Sequence, residues 1–565
     1  MIGSLPPAAI MILGALLVPA LSGRIQKAYI LALPILGFLY FVSLGTGEFG
    51  QVGIFSYELT LVRIDGLSRI FGYLFHIAAV IGLIFAMRAE NSMEHVAALV
   101  YAGSAVGAVM AGDLIVLFVF WELLALSSVF LIWVRGTERS YHAGIRYLIV
   151  QVGSGVLMLT GILIHYQTTG SLAFDHLGLG TLGTNLIFLA FGIKCAFPFL
   201  HNWLIDSYPE ATPWGTVFLS AFTTKVAVYA LARGFAGTEI LVFIGAAMTV
   251  FPIFYAVIEN DLRRVLSYSM INQIGFMVCG IGIGTELAVN GAVAHAFNDV
   301  LFKGLLLMSM GAVLYRTGKV NGSDLGGLYK SMPKTTGLCL IGAASISAFP
   351  LFSGFVSKSM VISAAIHEGY GGVWLALLFA SAGVVEHAGI KIPFFAFFAH
   401  DSGIRCKEAP RSMLIAMTIA AAFCIFNGSF PGAFLYPMLP YAVEYVPYTT
   451  AHVVAQLQLL FFAMLAVVWL MSSGRYPPEL RSVNLDTDWV YRRLGPRAAL
   501  AVARVAVFLR TGTVNTVLVG VNSTVTGVRK HLGVTGVMGR TWSTAGSVIW
   551  VALLLSFFLI LYYTK

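Results

Sequence analysis

Residues 114–133 read LIVLFVFWELLALSSVFLIW. The run is long and apolar enough to cross a bilayer as one helix, yet it holds a carboxylate, Glu122, near its middle. A charge at that depth costs about 2.5–3.5 kcal/mol on insertion scales. The exception recurs: Lys194 in NLIFLAFGIKCAFPF (185–199), Lys225 in VFLSAFTTKVAVYAL (217–231), Lys303 in DVLFKGLLLMSM (299–310) and Lys358 in FPLFSGFVSKSMVI (349–362). Repeated in one chain, such costly placements point to use, as a buried row of carriers for protons or ions.

The rest of the chain fits that reading. Of its 565 residues 58% are hydrophobic and 10% charged, and the mean hydropathy is +0.87. So few charges cannot cover the surface of a soluble protein, and short alternating β-barrel segments are absent. The sequence therefore predicts an all-α polytopic membrane protein. The first run, LPPAAIMILGALLVPALSG (5–23), has no basic stretch before it and reads as a first span rather than a cleaved signal. Cys195, Cys279, Cys339, Cys406 and Cys424 are scattered without CxxC spacing, so no metal or iron–sulfur site and no disulfide framework is expected. No Gly-rich phosphate loop is present, and no cofactor is expected.

About sixteen spans are expected, near 5–22, 28–46, 66–88, 95–111, 114–134, 143–166, 183–200, 211–233, 238–258, 262–283, 287–314, 337–365, 372–398, 411–432, 453–473 and 546–563. Lys and Arg concentrate after the odd-numbered spans: Arg24 and Lys27, Arg88, Arg135 and Arg139, Arg263 and Arg264, Arg316 and Lys319, then Arg405 and Lys407. By the positive-inside rule these exits are cytoplasmic and the N-terminus lies outside, in a cell inner (plasma) membrane. Arg63 and Arg233 are exceptions, and the acidic stretch 201–210 fits only if partly buried in protein. Residues 474–545 carry ten Lys/Arg against three Asp/Glu, a net of +7. The segment reads as too long and polar for another span: a cytoplasmic basic linker, with Ala498–Leu509 as an amphipathic surface helix, contacting anionic lipid headgroups or a neighbouring protein of the same complex.

The charged positions carry the functional reading. Pro198 follows Lys194, and a proline break frees carbonyls that are tolerated where backbone lines a hydrated cavity. A lysine stripped of water holds its proton less firmly, and a carboxylate partner holds it in place. Glu122 beside Lys194 is thus expected as a two-state pair. Thr223 and Thr224 stand next to Lys225. His295, Asp299 and Lys303 are spaced i, i+4, i+8 on one helical stripe, which reads as a proton path. Pro350 and Gly354 precede Lys358 in a second break. Glu386 and His387 lie deep in the thirteenth span, while Lys391 sits near its end, where a lysine can snorkel.

Five stretches together resemble the antiporter-like subunits shared by Mrp-type cation/proton antiporters, respiratory complex I and membrane-bound hydrogenases. They are FVFWELLALSSVFLIW (118–133), FGIKCAFPFLHNWLIDSYPEATPWGTVFLSAFTTKVAVYALAR (191–233), NDLRRVLSYSMINQIGFM (260–277), HAFNDVLFKGLLLMSMGAV (295–313) and FPLFSGFVSK (349–358). Three more, HAGIKIPFFAFF, PYTTAHVVAQLQLL and NLDTDWVYRRL, resemble the D-type subunits of the Mrp branch.

The resemblance implies a Glu122–Lys194 pair, a second lysine Lys225, a central stripe with His295 and Lys303, and a terminal Lys358 on a broken helix. It also implies two inverted five-helix repeats, spans four to eight and nine to thirteen. The chain departs from the family pattern at Asp299, often His, and at Arg263, usually Lys. The central relay is then expected to run through an Asp–Lys pair, with Arg263 structural because arginine does not readily give up its proton.

The organisation expected is N-terminal helices 1–94, a first repeat 95–258, a second repeat 259–400, C-terminal core helices 401–473, the linker 474–545 and a terminal span 546–565. The function expected is the proton-translocating subunit of a multi-subunit Na+/proton antiporter, whose partners are other membrane subunits, protons, Na+ and lipids, with no nucleic acid. The alternatives are a membrane-arm subunit of a quinone reductase or membrane-bound hydrogenase, and a proton-coupled inorganic-carbon uptake subunit.

Overall fold

A computed structural model of the chain describes residues 5–54, 57–482, 484–533, 536 and 543–564. The chain divides into two units, Met1–Asn484 and Leu485–Lys565. Parts of the expected linker (483, 534–535 and 537–542) lie outside the described residues.

The first unit opens with α1 (Pro7–Ala15) and α2 (Gly23–Ser43), then a two-stranded antiparallel hairpin, β1 (Gly47–Ile54) and β2 (Tyr57–Ile64), and α3 (Gly66–Phe85). α4 (Ser92–Met110), α5 (Leu114–Trp133), α6 (Glu138–Thr169), α7 (Leu182–Lys194), α8 (Asn202–Ser207), α9 (Gly215–Ala221) and α10 (Thr223–Gly234) follow. Then come α11 (Ile240–Ile258), α12 (Leu262–Ile283), α13 (Glu286–Thr317), α14 (Pro333–Ile346), α15 (Ser353–His367), α16 (Gly371–Val384), the short α17 (Lys391–Pro393), α18 (Arg411–Ser429) and α19 (Thr450–Ser472). The second unit holds α20 (Gly495–Leu532) and α21 (Thr544–Tyr563).

Polar residues at the ends set where these apolar helices begin. Asp113 accepts from the Val116 amide at 2.8 Å and Asp261 from the Arg263 amide at 2.8 Å. Asp65, Thr137 and Thr181 each form a reciprocal capping box with the residue three positions on. Each satisfies amides that neither lipid nor an apolar core can. Gly170, Gly284 and Gly318 end their helices in the left-handed conformation that favours glycine.

Two copies of one pattern organise the first unit. α4 and α11 both begin and end 148 positions apart (92 to 240, 110 to 258), as do α6 and α13 (138 to 286, 169 to 317). An isolated bridge joins Asp113 to Ala173, and a second joins Asp261 to Asn321 at the same shift. The segment Ala196-Phe197-Pro198 returns as Ala348-Phe349-Pro350. In both copies the alanine and the residue after the proline have positive φ: Ala196 60° and Phe199 69°, Ala348 59° and Leu351 75°. Such strain costs on the order of 1–3 kcal/mol per residue and persists only where its surroundings enforce it. Each copy makes five passes, an odd number, so the second starts from the opposite face. α12 and α13 form the centre, almost wholly covered by protein.

The span count differs from the expected sixteen. Fourteen described helices are long and apolar enough to cross a membrane, by length and composition. The expected spans near 5–22, 183–200 and 337–365 are instead the short α1, the broken α7–α8 and the broken α14–α15. The eighth is also interrupted, at Phe222 between α9 and α10. The thirteenth passes through π-helical turns at Val385–Ile390 and Phe394–Phe398. Conversely, Arg492–Leu532 qualifies as apolar by its best window, although residues 474–545 read as too polar. Ala498–Leu509 is part of the single 38-residue helix α20, about 57 Å long at 1.5 Å per residue, which also takes in Val514–Val528.

The hairpin is an element the sequence reading passed over. Asp113 fastens it by accepting from the Thr60 amide at 2.7 Å. The two charge exceptions are paired: Arg233 with Asp65 at 2.8 Å and Arg63 with Asp175 at 2.6 Å. The acidic stretch 201–210 is largely buried, as its charge required. Asp206 meets Arg146 at 2.5 Å and Glu210 meets Arg139 at 2.7 Å. Arg263 is buried too, donating to the carbonyls of Pro209, Ala211 and Thr212 at 3.0–3.2 Å. It holds this loop in place.

Candidate functional site

Lys194, Lys225, His295, Asp299, Lys303, Lys358, His387 and Lys391 are all buried in the first unit. The closest contact among them crosses the two repeats: Lys225 Nζ of α10 lies 2.6 Å from Asp299 Oδ2 of α13, with both side chains wholly covered. An Asp–Lys pair was expected in the central relay, and Lys303 stands one turn from Asp299 on the same helix. Lys303 instead donates to Ser269 Oγ of α12 at 2.7 Å. Lysine and aspartate four residues apart can meet on one face, but the pairing with α10 takes the carboxylate away. Lys303 and Lys358 remain within electrostatic reach of Asp299, which serves as the counter-charge for three ammonium groups.

His295 joins this centre to the next element. Its Nε2 lies 3.1 Å from Gln273 Oε1 and its Nδ1 3.0 Å from Ser357 Oγ, beside Lys358. Gln273 Nε2 donates to Asn272 Oδ1 at 2.5 Å, so its oxygen faces the histidine as acceptor and the ring proton is assigned to Nε2. Asn298 donates to the Ser353 carbonyl at 3.0 Å and accepts from Asn427 at 3.1 Å. Gln273 thus ties His295 to a further amide, and Asn298 ties α13 to α15 and α18. The sequence reading left out Gln273, Asn272, Asn298 and Asn427. Asn272 and Gln273 carried a signal as adjacent amides inside an apolar span; Asn298 and Asn427 stand singly on other helices.

Three of the lysines are seated on carbonyls at helix ends, two of them at helix breaks. Lys225 donates to the Ser220 carbonyl at 3.1 Å, Lys358 to that of Ile346 at 2.7 Å and Lys391 to that of Val257 at 2.6 Å. These carbonyls belong to the last turns of α9, α14 and α11. Such carbonyls lack a helical donor and carry the negative end of the helix dipole, so a broken helix offers a ready seat for an ammonium.

Lys194 is seated differently from expectation. The Ile193 carbonyl beside the Pro198 break is taken by Trp203 Nε1 at 2.9 Å. Lys194 donates to the Trp121 carbonyl at 2.5 Å, with its ammonium 4.4 Å from the Trp121 ring centre. Glu122 is the next residue, yet the two side chains form no ion-pair contact. Glu122 is half-buried rather than deep, with Oε1 sealed in and unpartnered. That oxygen fills the space a Cβ on Gly155 of α6 would occupy. Gly155→Ala is therefore expected to displace the carboxylate and alter its pull on Lys194 while leaving the helix intact, because the end of a glutamate side chain moves easily. The check is a displaced pH optimum of proton flux at unchanged membrane abundance.

Gly354 lies close to the Ser345 carbonyl, leaving no room for a side chain where α15 passes the end of α14. A cavity of about 280 Å³ opens against Lys358. Its polar lining includes Ser359, Ser363, Ser381, His452 and Gln456, and Ser381 Oγ and Gln456 Nε2 have no partner. α19 has no charged residue, which is why this lining escaped the sequence reading. Lys391 does not snorkel: it is covered, and pairs with Glu479 at 2.9 Å.

The family described as NADH:quinone oxidoreductase/Mrp antiporter, transmembrane, matches residues 111–385. The chain is 28% identical over 497 residues to the A-type component of the Na+/H+ antiporter of Alkalihalophilus pseudofirmus, covering 76% of this chain and 62% of that protein. It is 30% identical over 346 residues to the D-type component from the same organism, covering 56% of this chain and 70% of that one. A solved Mrp complex from a Dietzia species has the same fold, with a TM-score of 0.78 at 23% identity over 93% of this chain and 63% of that chain.

Proposed function

The chain belongs to the family of membrane proteins shared by NADH:quinone oxidoreductase and the Mrp antiporters, and from that premise we propose that it is the proton-translocating subunit of a multi-subunit Na+/proton antiporter. The observation that carries the proposal is the Lys225–Asp299 pair, which ties the first repeat to the second at the centre of the row. From it the row runs towards Lys194 and Glu122 on one side, and through Lys303, His295 and Lys358 to His387 and Lys391 on the other. Protons do not cross dry hydrocarbon, so a chain of buried carriers and amides is what such a route requires. The amides Gln273 and Asn272 and the hydroxyls Ser269 and Ser357 place hydrogen-bonding groups beside His295 and Lys303 without adding charge.

In this reading the N-terminus lies outside and the exits rich in Lys and Arg lie in the cytoplasm of a plasma membrane. α20 and α21, which bury none of their apolar windows in this chain, are covered by lipid or by neighbouring subunits. The test uses inside-out membrane vesicles that contain the assembled complex and an imposed pH difference, followed with a pH-sensitive dye. Adding Na+ is expected to collapse the pH difference. Acidification driven by an electron donor, with no response to Na+, reassigns the chain to a redox pump. A bicarbonate-dependent response reassigns it to inorganic-carbon uptake.

A further inference from the structure

The segment after α19 folds back as a strap over the π-distorted thirteenth span. Arg481 bonds Asp324 at 2.5 Å, and the guanidinium holds that carboxyl below the ordinary carboxylate range, so this anchor stays charged through mildly acidic conditions. Asn484 Nδ2 donates to Glu259 Oε2 at 3.2 Å, and Glu259 in turn lies 3.4 Å from Arg264. Between α19 and these anchors the strap presents two side chains inward. Tyr476 Oη donates to Glu386 Oε1 at 2.8 Å, and Glu479 Oε1 lies 2.9 Å from Lys391 Nζ.

Glu479 stands between an open space and an unfinished interior. On its outer side is a cavity of about 450 Å³ lined by Ser323, Phe395, His400, Tyr476 and Glu479. On its inner side, beyond Lys391, is His387, one helical turn away and fully buried, with no hydrogen-bond partner for either ring nitrogen. His387 lies within electrostatic reach of Lys303 and Lys358 as well as Lys391. The second Glu386 oxygen is also unpartnered. Apart from the Lys391 contact, neither Glu479 oxygen has a partner. Burial pushes the Glu479 carboxyl above the ordinary carboxylate range while Lys391 pulls it the other way.

We propose that Glu479 is the group through which protons pass between this cavity and Lys391, with His387 as the next carrier inward and Tyr476 as a positioning residue on Glu386. The inference rests on the proton-translocating reading above. In one inward step the Lys391 ammonium of the ion pair gives a proton to the neutral His387 ring. The Glu479 carboxylate then takes a proton from hydronium in the cavity, releasing water, and hands it to the Lys391 amine, which restores the pair. Only N–H and O–H bonds form and break, and after His387 passes its proton on, every group is back in its starting state. Two charges paired inside the protein but reached from an open cavity form a gate that conducts protons without a continuous column of water.

The experiment uses full-length chain in its assembled complex, in vesicles, with Lys194→Ala as a reference. E479Q is expected to lower proton flux about 100-fold, the low end of what a positioned acid–base group supplies, and E479D to restore most of it. Glu479→Cys is then made in a Cys406→Ser background, since Cys406 is the one native cysteine that is not buried. A membrane-impermeant carboxyethyl methanethiosulfonate applied on the cavity side is expected to restore flux, and its trimethylammonium counterpart is not. Normal flux in E479Q while Lys194→Ala is inactive overturns this proposal alone. Normal flux in both variants overturns the underlying functional reading. A chain that accumulates in the membrane only with Glu479 intact makes the carboxylate structural and likewise overturns the proposal, as does a cysteine that neither reagent modifies from either side.

Discussion

Replacing Asp299 with asparagine is expected to cost both flux and stability, because the change removes a carrier and strips Lys225 of its counter-charge at once. Both side chains are wholly buried and 2.6 Å apart. Removing one partner of a buried pair costs about 3–5 kcal/mol, since the other charge is left uncompensated. Proton flux in vesicles should fall about 100-fold or more, and the purified complex should unfold at a lower temperature. The double replacement Lys225→Met with Asp299→Leu separates the two effects. A buried pair exchanged for apolar residues of similar volume is often neutral or stabilising. The double variant should recover stability and remain inactive. Recovery of flux together with stability would show that the pair only holds the repeats together.

Lys194→Ala is expected to abolish flux with little loss of chain from the membrane. The lysine meets the Trp121 carbonyl and ring rather than a carboxylate. Its removal therefore orphans no buried opposite charge in direct contact, unlike Asp299→Asn. Glu122→Gln should be milder, because Glu122 is half-buried and acts on Lys194 without touching it. Its signature is a displaced pH optimum of transport. Near wild-type flux in Lys194→Ala sinks the assignment of Lys194. An unmoved pH profile in Glu122→Gln, with the two substitutions additive, removes the coupling.

The amino-acid sequence by itself determined that this is a polytopic helical membrane protein and where charges interrupt its apolar runs. Hydropathy is a local property, and a lysine such as Lys303 inside an apolar run stands out without knowledge of any neighbour. Pro198 and Pro350 marked two helix breaks for the same local reason: a proline cannot continue the backbone hydrogen bonds. The break at Phe222 had no such marker, whereas Pro393 stands directly before the second π-helical turn of the thirteenth span. Helix length was equally illegible in α20, where Thr, Val and Gly are weak helix formers and only Ala498–Leu509 read as helix.

Partnership was what only the tertiary structure decided. Asp299 had a lysine four residues away on its own helix and paired with Lys225 of the other repeat, because two inward-facing repeats bring α10 against α13. Glu122 and Lys194, neighbours in expectation, are separated by the placement of the carboxylate beside Gly155. Lys391, expected at an interface, is covered by a strap 85 or more positions further along (391 to 476) that brings Tyr476 and Glu479 to it. Burial of a charge can be read from sequence because it depends on the residues beside it in the chain. The identity of its counter-charge cannot, because that depends on which distant helix the fold places a few ångströms away.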